Sequence, residues 1–218
     1  MIIIECEQGS KEWLDARCGA ITASNFKECR KVLSSGKNKG QHSSKAKEYA
    51  FKLAIERISG SLLSEDKFET FEMRRGRELE PTARLLHEEK KGILVQQAGF
   101  VLTDDEIYGA SLDGLMDSKG MSEYKCFIAP SSLMPIIIDG NIDDCKDQVQ
   151  GGLWITGRQY AHFVLYCPAL EAVNRHLTIF EVERDNDYIE EMQDDLLKFN
   201  KVVEEYMGKI NDGGKENV

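Results

Sequence analysis

Apolar positions along this chain follow a helical spacing at first, alternate through the middle, and return to a helical spacing at the end. Residues 10–33 read as helix, turn, helix. Ser10 can cap a segment carrying Trp13 and Leu14, and Ser24 can cap a second helix after Ile21-Thr22-Ala23. Ser34 to Ser44 is a polar, glycine-containing loop. Residues 45–60 return to helical spacing, with Tyr49, Leu53 and Ile55 to Ile58 inward. A third helix is predicted from about Phe71 to Lys90, running through Pro81.

The period then shortens. Ile93 to Leu102 reads as a strand, Asp104-Asp105 as a turn, and Ile107 to Leu115 as a second strand. A turn at Asp117-Ser118-Lys119-Gly120 leads into Met121 to Ile128, which completes an antiparallel meander. The stretch holding Pro130 and Pro135 gives no clear element. Residues 141–156 read as helix, and Tyr160 to Cys167 and His176 to Val182 as strands. At the end Ile189, Met192, Leu196, Phe199, Val203, Tyr206 and Ile210 recur at spacings of three and four, an amphipathic helix. Its short length favours packing on the sheet over a coiled-coil seam. The predicted fold class is α/β, a central mixed β-sheet flanked by helices, in a single domain over residues 1–218.

Composition fits that picture. The 218 residues are 41% hydrophobic and 30% charged, an ordinary globular balance. The opening Met-Ile-Ile-Ile-Glu-Cys-Glu lacks the apolar core of a secretory signal, and no apolar run reaches the roughly 20 residues of a membrane span. Six scattered cysteines without a CxxC pair argue against zinc ribbons and for reduced thiols, so a cytoplasmic location is expected. Net charge is −10, the wrong sign for a simple phosphate binder. The distribution is uneven, however. Lys27 to Lys52 holds eight basic residues against two acids, and Glu181 to Tyr206 holds ten acids against three basic residues.

Candidate chemistry lies in the meander. Asp113 stands on one predicted strand and Glu123 and Lys125 on the next. Residues two apart share a face, so the Glu–Lys pair emerges side by side, with Asp113 returned beside it by the turn. Two carboxylates can hold Mg²⁺, and a lysine among them can position or deprotonate a water, its pKa lowered by burial or offset by the acids. On this pattern alone, an exposed hairpin with a Glu–Lys pair is the better account. Upstream, Gly76-Arg77-Glu78-Leu79-Glu80 puts an acid on a helix. Downstream, Gln148-Val149-Gln150 with Gly151, Gly152 and Trp154 sits on another. His42, His87, His162 and His176 lack paired metal-ligand spacing, and Trp13 and Trp154 read as core.

Together with Trp13, Arg17-x-Gly19 and Ile21-Thr22-Ala23-Ser24, these segments resemble the phage lambda exonuclease family, the YqaJ-like viral recombinases of the PD-(D/E)xK nuclease superfamily. The matching runs stand in the family's order from residue 13 to about 156. The resemblance implies a restriction-endonuclease-like core. It also implies an exodeoxyribonuclease that degrades the 5′-ended strand of linear double-stranded DNA by a two-metal-ion mechanism, leaving 3′ single strands for phage recombination. It makes Asp113, Glu123 and the Tyr124 carbonyl metal ligands, Glu80 the acid near a second ion, Lys125 the catalytic lysine and Gln148 its orienting partner. Arg17, Ser24 and Ser111 become the 5′-phosphate pocket. The cofactor implied is Mg²⁺, with Mn²⁺ able to substitute. The implied partners are two further copies in a homotrimer and a single-strand annealing recombinase. Phe127 stands where the family often has proline, and the family's strand-guiding arginine has no clear match in the basic loop, where Lys37 or Lys39 could substitute for it. A structure- or site-specific endonuclease of the same superfamily, or a catalytically silent DNA-binding protein, is the alternative.

Overall fold

A computed structural model describes residues 1–63 and 70–213. Strand β1 (Ile2–Ile4) is followed by helix α1 (Lys11–Ala16), whose cap Ser10 accepts from the Trp13 N–H. Strand β2 (Ile21–Thr22) runs into a 3₁₀ turn (Ala23–Asn25) and the single-turn helix α2 (Phe26–Cys29). Helices α3 (Ser44–Ser59) and α4 (Phe71–Lys91) come next. Thr70 caps α4 by accepting from the Met73 N–H, and Pro81 does not end the helix. Strands β3 (Phe100–Leu102), β4 (Tyr108–Ser111), β5 (Gly114–Leu115) and β6 (Gly120–Lys125) form the middle. Helices α5 (Pro130–Asp139) and α6 (Asp143–Thr156), strands β7 (Tyr160–Tyr166) and β8 (Leu177–Glu183), and helix α7 (Asn186–Gly213) complete the chain.

The expected α/β architecture of mixed sheet and flanking helices is present, with the strands divided between two sheets. One has the order β1-β3-β4-β2, with β2 parallel to β4, and the other the order β5-β6-β7-β8, with β6 parallel to β7. The anticipated strand over 107–115 is broken at Leu112-Asp113, where the chain leaves the first sheet for the second. The strand expected over 93–102 shortens to its last three residues, and Gln96 makes only an isolated bridge to Leu115.

The second sheet is buried on both faces. Along β7 the alternation is strict: Ala161, Phe163 and Leu165 enter the main core, and Val164 and Tyr166 enter a smaller cluster with Ala83 of α4. Both sides are therefore apolar, so the strand reads as a continuous apolar run. Met121 of β6 points to the main core, so Glu123 and Lys125 share its side and Tyr124 faces α4. Helix α6 lies over the main-core side at very short range. A Cβ on Gly151 would stand 2.7 Å from Phe26, and one on Gly152 2.7 Å from Met121, so both glycines are required by packing.

Two sequence expectations change. The Pro130–Pro135 stretch is a helix, because Pro130 occupies its first turn, where no N–H bond is lost. Helix α7 packs chiefly on α3 rather than on the sheet, placing Ile189, Met192, Leu196, Phe199 and Val203 in the core. The basic and acidic segments are thereby neighbours, and Arg30 pairs with Asp147, Glu191 and Asp195. None of the six cysteines is disulfide-bonded, and no helix among the described residues is long and apolar enough to cross a membrane.

Candidate active site

Three elements bring the predicted acids and lysine together. Asp113 sits in the bend between β4 and β5, where its Oδ2 accepts the Tyr124 backbone N–H at 2.8 Å. Glu123 and Lys125 emerge from β6 with Lys125 Nζ 2.7 Å from Glu123 Oε1. Gln148, from α6, closes a triangle. Its Nε2 donates to Glu123 Oε1 at 2.5 Å and its Oε1 accepts from Lys125 Nζ at 3.0 Å. Glu80 comes from α4 and accepts from Arg84, one turn on, at 3.1 Å.

Electrostatics of this cluster follow from burial. Glu123 is 2% exposed, and burial followed by the Asp113 charge raises its pKa to about 7 against the pull of Lys125. Glu80 is raised to about 7 by burial and then by Asp113, with Arg84 and Lys125 opposing. Burial also raises Asp113, opposed by Lys125 and the Tyr124 N–H. Burial would lower the lysine, but the Glu123 and Asp113 charges and the Glu123 hydrogen bond outweigh it, so Lys125 lies above its ordinary value. The lysine is therefore held as an ammonium, so of the two readings left open by the sequence, the one in which the acids offset burial holds.

Among the described residues no three His, Cys, Asp or Glu side chains draw close enough to hold an ion unaided. The donor chemistry nonetheless fits a hard divalent cation. Glu123 is a buried carboxylate and Asp113 a half-buried one that accepts the Tyr124 N–H, and Glu80 responds to the Asp113 charge. Oxygen-only donors of this kind suit Mg²⁺ or Mn²⁺, with water completing the shell.

A second constellation lies two residues upstream of Asp113. Ser111 Oγ accepts from Arg17 Nη1 at 2.9 Å and from Trp13 Nε1 at 3.0 Å, which leaves its own proton free to donate. The Arg17 guanidinium lies over the Trp13 ring at 4.2 Å. Burial holds Arg17 below its ordinary pKa, and no carboxylate among the described residues pairs with it. Trp13 thus forms part of this site rather than serving as core alone. Ser24 is exposed at the end of β2, beside the end of β4 that carries Ser111. It is not a helix cap: it lies within the 3₁₀ turn, its Oγ 3.3 Å from Thr22 Oγ1. Only a single turn of helix follows, so Ser24 does not stand at the N-terminus of a long helix.

Sequence reasoning missed several supporting residues. Gln8 donates to Asp113 Oδ1 at 3.4 Å from a loop with no periodic signal. His87, expected at the surface or in the core rather than as a ligand, is a fully buried core residue. What the sequence did not show is its bonding, with Nδ1 2.9 Å from the Tyr124 hydroxyl and Nε2 2.8 Å from His162 Nδ1. Its place two helical turns after Glu80 was a usable signal. Burial and the neighbouring His162 lower the His87 pKa to about 4, so this pair braces β6 in neutral form.

Residues 12–159 match the family model described as the YqaJ-like viral recombinase domain. No curated protein matches the chain. Among solved structures, the alkaline exonuclease LHK-Exo of Laribacter hongkongensis is 25% identical, with a TM-score of 0.80 over 96% of this chain and 100% of its own. The same exonuclease in complex with dAMP gives a TM-score of 0.81 at 25% identity over the same shares of the two chains. A phage-related exonuclease from Haemophilus somnus 129PT shares the fold at 19% identity, with a TM-score of 0.66 over 89% of this chain and 96% of its own.

Proposed function

We propose, from the premise that the chain belongs to the YqaJ-like viral recombinase domain family, that it is a Mg²⁺-dependent exonuclease of linear double-stranded DNA. It removes nucleotides from a 5′-phosphorylated end and leaves 3′ single strands for annealing-type phage recombination. The observation that carries this reading is the bonded triangle of Glu123, Lys125 and Gln148 beside Asp113, with Ser111 two residues before Asp113 and bonded to Arg17. The likeness to alkaline exonucleases over nearly the whole chain supports it.

Asp113, Glu123 and the Tyr124 carbonyl would hold one ion, with Glu80 serving a second. When bound, the ions neutralise phosphate charge and lower the pKa of attacking water. This chain's own groups do the remainder. Lys125, as an ammonium, orients the attacking water and balances charge building on the phosphate, and Gln148 fixes its direction by bonding both Lys125 and Glu123. Arg17 offers a charge-assisted pair to a terminal phosphate, while the hydroxyls of Ser111 and Ser24 supply neutral donors. Because Ser111 and Asp113 are two residues apart, a phosphate held there registers the strand against the metal-binding acids. Mn²⁺ substitutes for Mg²⁺. The reading further includes one domain over 1–218, a homotrimer around its track, and an annealing recombinase as partner in the host cytoplasm.

The test compares initial rates on 5′-phosphorylated and 5′-hydroxyl duplex ends. The phosphorylated end should be degraded much faster, and Arg17→Ala should shrink the preference while leaving cleavage measurable. Equal rates on both ends in the unaltered protein would remove the pocket and leave the metal site standing.

A further inference from the structure

We infer that Glu56 and Arg57 are positioning residues for end recognition: they grip both sides of the Gly19 peptide from α3 and so set where Arg17 meets the DNA end. The inference rests on the 5′-phosphate reading of Arg17, Ser24 and Ser111.

Arg17 ends α1, and the chain reaches β2 through Cys18, Gly19 and Ala20, a turn closed by the Ala20 N–H donating to the Arg17 carbonyl at 3.1 Å. Gly19 has φ +72°, a left-handed conformation that disfavours any side chain. A Cβ there would also stand 2.8 Å from Arg57 Cγ, so α3 backs directly onto the turn. Glu56, 2% exposed, accepts the Gly19 N–H on Oε2 at 3.1 Å and the Leu63 N–H on Oε1 at 3.2 Å. Arg57 Nε donates to the Gly19 carbonyl at 2.8 Å, and its Nη1 donates to Asn200 of α7 at 2.7 Å.

A carboxylate this buried is costly without hydrogen bonds, and two of its donors are backbone groups, one of them in the turn. Charge-assisted bonds are the strong ones, so two successive helix residues hold opposite sides of one glycine. Gly19 lies two residues after Arg17 and two before Ile21, the first residue of β2, the strand that ends beside Ser24. Both walls of the pocket therefore hang on this one peptide. Glu56 and Arg57 bond the Gly19 backbone and not the Arg17 side chain, so they act through the turn.

The experiment measures kcat/KM with Mg²⁺ on 5′-phosphorylated and 5′-hydroxyl linear duplexes for the unaltered protein, Arg17→Ala, Arg57→Met, Glu56→Gln and Asn200→Ala. The readout is the phosphate-over-hydroxyl ratio, which a general loss of stability does not move, because it slows both ends alike. Arg57→Met keeps an apolar stem against Gly19, and Glu56→Gln keeps shape while removing the charge. Each should lower the ratio by roughly tenfold, the effect of weakening one charge-assisted bond to phosphate. Asn200→Ala cuts only the link to α7 and should keep the ratio. If one positioning variant does not fold, the other decides. A ratio above one that Arg17→Ala lowers but Arg57→Met and Glu56→Gln retain would overturn the clamp alone. A ratio near one in the unaltered protein would overturn the pocket and the clamp with it.

Discussion

Replacing Glu123 by glutamine in the metal-free protein should change how stability depends on pH. Burial and the Asp113 charge raise this carboxyl from an ordinary 4.5 to about 7. The folded protein then keeps a proton that the unfolded chain surrenders across this range, so the group costs stability as pH rises from 4.5 through 7. At 1.36 kcal/mol per tenfold, the cost reaches roughly 3 kcal/mol above pH 7. The lowered pKa of His87 acts oppositely between about 4 and its ordinary 6.5, adding stability with rising pH. A single titration of the unaltered protein mixes these two with the raised Glu80 and Asp113 carboxyls. Their separation comes from the difference between unaltered and Glu123→Gln protein, in which the histidine contribution cancels. The Glu123–Lys125 ion pair forms only as Glu123 ionises, so its pull is already contained in that pKa, while Lys125 stays charged throughout. Urea unfolding in EDTA between pH 4.5 and 8.5 should show the variant gaining roughly 3 kcal/mol on the unaltered protein as pH rises. Adding Mg²⁺ should flatten the difference by giving the carboxylate a counter-ion. A difference constant to within about 1 kcal/mol in EDTA would refute the argument that burial and Asp113 oppose ionisation of Glu123.

Lys125→Ala should abolish cleavage while retaining Mg²⁺ binding by calorimetry, whereas Asp113→Ala and Glu123→Ala should lose both; near-normal turnover by Lys125→Ala would remove its catalytic role. Gly151→Ala should destabilise the fold by about 1–3 kcal/mol in thermal melts, because its Cβ would stand 2.7 Å from the buried Phe26 ring. Light scattering should report three copies of the 24.7 kDa chain, and a monomer at working concentration would contradict the ring.

Much of the site was legible because it depends on short-range geometry. The strand period alone sets Glu123 beside Lys125, and a turn of a few residues returns Asp113 to them. Helical spacing likewise exposed α4, α6 and α7. What failed depended on long-range contacts. An amphipathic stripe shows that α7 is buried on one side and is silent about whether α3 or a sheet receives it. The break at Leu112-Asp113 follows from two sheets meeting, which no local pattern marks. The sequence named both influences on Lys125, burial and the neighbouring acids, and left open which wins, because the balance depends on how closely Glu123 and Asp113 approach it. The His87–His162 contact joins α4 to β7 across 75 residues, and the grip of Glu56 and Arg57 on Gly19 joins α3 to a distant turn.

The central claim is that this chain degrades DNA from an end, using metal held by Asp113 and Glu123. Its most direct test incubates the protein with linear duplex and with covalently closed circular duplex of the same sequence, in Mg²⁺ and in excess EDTA. The account predicts that only the linear DNA is lost, only with Mg²⁺, and that a 3′-labelled single strand survives. Nicking of the closed circle would make the protein an endonuclease. Cutting of neither form would make it a binder, and cleavage undiminished in EDTA would contradict the metal-dependent mechanism itself.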